Sequence, residues 1–153
     1  MNVTLSSRSS QRGTRRVLNG LVAACYDDMR VQAAASRAVI AGERQHRLED
    51  HVQRRATFIH ELGELIEDLG GTARERGSVV ELALDSLQRV RHLVIGKHTG
   101  DAYTACARVE GKTEDLYEGA MAGGLPDYVR LVVERQHAEI SSNSQEFRRL
   151  RIT

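Results

Sequence analysis

Tryptophan is absent, proline occurs once, and only two phenylalanines and four tyrosines appear in 153 residues. No Val-rich alternating segment or Gly-x-Gly loop is present either, which argues against a β-sheet and against a phosphate-cradling strand–helix turn. No apolar run is long enough to span a bilayer, and the N-terminus lacks the apolar core of a signal peptide. A cytoplasmic location is the expectation. Acids and bases nearly cancel, at a net charge of +1, so no global field draws the chain to nucleic acid or anionic lipid. The two cysteines, Cys25 and Cys106, each fall on the apolar side of a predicted helix and read as buried, reduced thiols. There is no Gly-x-Ser-x-Gly and no cysteine flanked by a base.

What remains is rich in Ala, Leu, Arg, Glu and Gln, an all-α composition large enough for one core. Residues 1–13 are polar, Ser/Arg-rich and aperiodic, which predicts a flexible arm ahead of a single helical domain over 14–153. The first helix is expected from Thr14, as N-cap, to Ala41, and the second from Glu43 or Gln45 to Leu69 before Gly70-Gly71. A third, over 78–95, opens on a Ser78/Glu81 capping box and ends in the basic cluster Arg89, Arg91, His92, Lys97 and His98. That end reads as a solvated helix terminus, with docking of an acidic partner as the alternative. The fourth and fifth helices run from Asp101 to Met121 and from Pro126 to about Arg149, joined by a Gly-Gly-Leu-Pro turn.

The chemistry lies on four of these helices. Tyr103, Cys106, Glu110, Thr113, Tyr117 and Ala120 share one stripe, which places Glu110 and Thr113 among core positions. Val129, Val133, His137, Ile140, Ser144 and Phe147 form a stripe on the fifth helix, with Glu134 three residues before His137. Arg55 interrupts the apolar seam between Val52 and Ile59, and Asp28 leans inward on the first helix beside Asp27. A dinuclear iron centre in a helical bundle needs one Glu from each of two helices and a Glu-x-x-His from each of the others. Glu110 and Glu134/His137 supply half of that box. The second helix offers Arg55 where a ligand pair is needed. Its own Glu-x-x-His, Glu43/His46, repeats the Glu-Arg-Gln-His of 134–137 but sits at a turn. The expected arrangement is therefore a structural ion pair of Arg55 with Glu110, joined by Asp28. The alternative is an iron or zinc site on Glu110, Glu134 and His137, with Asp28 or Glu114 as additional ligands.

The order Leu18-Asn19-Gly20-Leu21, Cys25-x-Asp27, Glu61-Leu62, Leu69-Gly70-Gly71, Gly77-Ser78, Glu110 with Tyr117, Leu125-Pro126 and Val133-Glu134-Arg135-Gln136 resembles a bacterial ferritin-like four-helix-bundle family. That family is catalogued as domain of unknown function 2383, and the similarity covers about residues 17–151. It implies an up-and-down ferritin-like bundle with the third helix in the crossover, and it implies no established activity. Met29, Arg30 and Gln32, the stretch Ala83 to Gln88, and Asn143-Ser144 depart from the family's pattern. The function expected is thus that of a structural or interaction protein, linked to stress, self-associating as a dimer and carrying a degenerate metal site. No catalytic residue and no obligatory cofactor are expected, and an unidentified protein partner is allowed for.

Overall fold

The computed structural model of the chain describes residues 2–73, 78–89 and 99–151. Five helices account for almost all of it: α1 (Asn2–Ala38), α2 (Glu43–Asp68), α3 (Val79–Arg89), α4 (Thr99–Ala122) and α5 (Asp127–Leu150). Among the described residues no helix is long and apolar enough to cross a membrane.

Side-chain pairs give the directions. Arg15 in the first half of α1 donates to the Gly70 carbonyl just past the end of α2, and Arg55 in the middle of α2 meets Asp28 in the second half of α1. The two helices are therefore antiparallel. Cys25 meets Tyr117 whereas Gln32 meets Glu110, which makes α4 antiparallel to α1 as well, and hence parallel to α2. Helix α5 runs back along α4 and, through Arg47–Glu146, Arg54–Glu139 and Arg135–Glu61, antiparallel to α2. The four long helices close a ring in the order α2, α1, α4, α5, while α3 packs on α2 and α1. Because α2 and α4 are parallel, the chain between them must travel the length of the bundle, and α3 lies on that path.

Glycine makes the sharp stop after α2. Gly70 has φ +82, and the amides of Gly70 and Gly71 donate to Glu67 and Ile66, a Schellman closure that favours a residue without Cβ. The expected Ser78/Glu81 capping box is present, each side chain engaging the other's backbone N–H.

Helix α1 begins at Asn2, which differs from the expected arm over 1–13. Thr14 does not cap it: its hydroxyl donates to the Ser10 carbonyl one turn back, inside a continuing helix. No proline interrupts the stretch, so a helix anchored by Leu18, Leu21 and Cys25 continues outward through the exposed residues 7–13 at small cost per residue. Within the basic cluster at the end of α3, only Arg89 lies among the described residues, where it pairs with Asp85.

The core is divided. A larger apolar cluster holds Leu18, Cys25, Phe58, Leu62, Tyr117 and Val133, and a smaller one holds Val39, Leu48, Tyr103, Cys106 and Phe147. A buried polar layer separates the two on α4 (Glu110 and Thr113) and α5 (Asn143 and Ser144), and is met by Asp28 and Gln32 on α1 and by Arg55 on α2, which interrupt the larger cluster.

Candidate functional site

Arg55 is the centre of that layer. Its side chain is fully buried, which is tolerable only if the guanidinium is paired; Nε and Nη2 carry the pairing, while Nη1 has no hydrogen-bond partner among the described residues. Nε donates to Asp28 Oδ2 at 3.0 Å, and Nη2 reaches across the diagonal of the bundle to Glu110 Oε2 at 2.8 Å and also to Oε1. Gln32 Nε2 donates to Glu110 Oε1 at 3.1 Å. The guanidinium also sits 5.0 Å from the centre of the Phe58 ring, over its face, a favourable place for a cation.

Two carboxyls and one guanidinium leave an excess negative charge unless one acid keeps its proton. Burial pushes Asp28 well above the usual carboxylate range, and the neighbouring Glu110 adds to the rise while Arg55 opposes it. Burial also raises Glu110, but Arg55 draws it back through both charge and hydrogen bonds. Of the two, Asp28 is raised the further, so a proton kept by the cluster falls to it. The geometry accommodates either state. Thr113 Oγ1 lies 2.7 Å from Asp28 Oδ1 and 3.1 Å from the Val109 carbonyl, and its single hydrogen cannot serve both. With Asp28 ionised, Thr113 donates to Oδ1; with Oδ1 protonated, the acid can donate to Thr113, which then donates to Val109.

A second polar chain runs beside the first. Tyr117 donates to Gln136 Oε1 at 2.7 Å, so the Cys25 thiol, 3.3 Å from the phenol oxygen, is the donor to Tyr117. Burial pushes the Cys25 thiol up to about 12 and raises Cys106 further, and both cysteines are free. These are inert thiols, since only the thiolate is a strong nucleophile.

A dinuclear metal centre does not fit this layer. All four carboxyl oxygens of Asp28 and Glu110 already face protein hydrogen-bonding groups, and a guanidinium stands between them where a cation would sit. The inner positions of α5 here are Gln136 and Asn143, rather than the expected Glu134 and His137. Glu134 is at the surface beside Arg130. His137 sits at the rim, its side chain 21% exposed, with Nε2 3.4 Å from Glu118 Oε1. Among the described residues Glu110, Glu134 and His137 are not gathered as ligands; the group that is gathered is Glu114, Glu118 and His137. Of the two additions considered, Asp28 belongs to the Arg55 layer and Glu114 to this outer group. The second Glu-x-x-His is exposed at the start of α2, where Glu43 pairs with Arg47 and His46 with Glu49.

Gln136 escapes a sequence reading that steps from Val129 to Val133 to His137. Two successive steps of four overrun the helical repeat by about 80°, whereas 129, 133, 136, 140, 143 and 147 alternate four and three and stay in phase. Glu118 also goes unseen, because acids at 114 and 118 on a helix read as a solvated face until α5 is placed beside them.

At the α2/α4/α5 end of the bundle a cleft of about 250 Å³ opens over Phe147, His51 and Tyr103, with Arg44 and Arg47 at its wall. Burial, and then the charge of Arg55, lower the pKa of His51, so it adds no positive charge there at neutral pH. Compared with known families, curated proteins and solved structures, the chain matches none.

Proposed function

We propose that this chain is a ferritin-like bundle that works as a structural, self-associating protein, with an internal ion cluster standing where a bundle of this type would hold its metals. The observation that carries the reading is Arg55, wholly buried and bonded to Asp28 and Glu110 at the level where ligands from four helices would converge. The connectivity supports the bundle type: an antiparallel ring with parallel α2 and α4 and one long crossover is the ferritin-like arrangement. The family resemblance of residues 17–151 points the same way.

Function then rests on surfaces. Val80 and Leu84 on α3, and Tyr128 and Leu131 on α5, are large apolar side chains left exposed, consistent with association between copies or with a protein partner. A stress-linked role belongs to the same reading.

Aerobic Fe(II) loading tests it directly. The chain should oxidise Fe(II) no faster than buffer and retain no iron that depends on Glu110. Two iron equivalents per chain that vanish in Glu110→Ala would overturn the reading and restore a dinuclear centre. Light scattering after size exclusion should give a dimer, and a strict monomer at high concentration would remove the self-association.

A further inference from the structure

The geometry points to a mononuclear divalent-metal site, of Zn²⁺ type, on the outer seam between α4 and α5, built from Glu114, Glu118 and His137. One ligand atom from each residue lies within 4.8 Å of the other two. The two glutamates are one turn apart on α4, so both carboxylates project over the same face, towards α5. The third member differs from the acids in kind. His137 Nε2 is covered from solvent yet has no hydrogen-bond partner, because Glu118 Oε1 at 3.4 Å approaches it without bonding geometry. With its ring proton on Nδ1, this imidazole would present the Nε2 lone pair, between two carboxylates, to a cation. A cation bound there would satisfy it and offset the repulsion between the two acids.

The donor set indicates the ion. One imidazole and two carboxylates suit borderline Zn²⁺, which takes such ligands in tetrahedral geometry and leaves its fourth position to water. Ca²⁺ and Mg²⁺ prefer oxygen alone. Glu118 is exposed and free to swing inward, whereas Glu114 is held on the inner side.

One competitor is present. Arg148 Nη2 lies 3.3 Å from Glu114 Oε2, a positive charge that a metal would have to displace. It has other anchors, on Ser144 Oγ at 2.8 Å and on the Ser144 carbonyl, so its release from Glu114 does not leave it without partners. The site is distinct from the Arg55 layer, and its failure would leave that reading untouched.

The test is a Zn²⁺ titration of the metal-stripped full-length chain by calorimetry, repeated with Co²⁺ to read coordination geometry from its visible absorption. One equivalent is expected to bind, with a tetrahedral Co²⁺ spectrum. Affinity should fall by at least about tenfold in Glu118→Gln, whose exposed side chain leaves the fold intact, and further in His137→Ala. Removing the competitor in Arg148→Ala should tighten binding, and Glu134→Gln should leave it unchanged. No binding, or binding undiminished in Glu118→Gln and His137→Ala, would overturn the site. So would loss of binding in Glu134→Gln with Glu118→Gln unaffected. Circular dichroism of each variant separates loss of a ligand from loss of the fold.

Discussion

Replacing Arg55 by leucine would leave Glu110 buried opposite an apolar side chain, with Gln32 as its main remaining donor. Removing one member of a buried pair in this way costs about 3–5 kcal/mol. Arg55→Leu and Glu110→Leu should each show that loss in urea melts. The double variant should lose clearly less than their sum, because no unpaired charge remains. Strict additivity would mean that the two groups are not coupled. Asp28 behaves differently. Its pKa is raised in the fold above the unfolded value of about 3.9, so the native state keeps the proton to higher pH than the unfolded chain does. The stabilisation this gives is fullest below about pH 4 and declines as pH rises towards the native pKa. Asp28→Asn mimics the protonated acid. It should equal or exceed the parent protein in stability at neutral pH, and its stability should fall less between about pH 4 and 7. A decline as steep as the parent's would place the proton on another group. The cysteines offer a simpler check: with raised pKa values and full burial, neither should react with a charged alkylating reagent at pH 8 until urea unfolds the chain.

At the scale of the element, the inward faces were legible wherever apolar spacing alternates three and four. The α4 stripe from Tyr103 to Ala120 is buried as read, and so are Arg55 and Asp28, because a polar residue in an apolar phase is conspicuous. Two things were not legible. The start of α1 lies in polar sequence whose helicity is inherited from the packed turns that follow it, a cooperative effect with no local signature. Of the Glu114–Glu118–His137 group, His137 and Glu114 were among the candidate ligands, but Glu118 is exposed on its own helix and acquires meaning only from the docking of α5. Local signals do fix the end of α2. Gly70 holds φ +82, so Gly70→Ala should cost about 1 kcal/mol in thermal or urea melts, although its Cβ would meet only Arg15 Nη1, at 4.0 Å. An unchanged midpoint would mean that the turn relaxes into another closure.

Across the whole molecule, the parallel course of α2 and α4 divides the chain into two antiparallel hairpins, one carrying α1 and α2, the other α4 and α5, each continuous in sequence. The ion cluster is shared unequally between them: Arg55 and Asp28 come from the first half and Glu110 from the second. Each half alone therefore exposes a charge that the other is built to neutralise. Made as two separate polypeptides divided within 90–98, the halves should recognise one another and reassemble a helical complex when mixed. With Glu110→Leu in the second piece, reassembly should weaken strongly. The buried arginine would then serve as a handshake between two half-proteins, a selective coupling of the kind needed to reconstitute a split reporter.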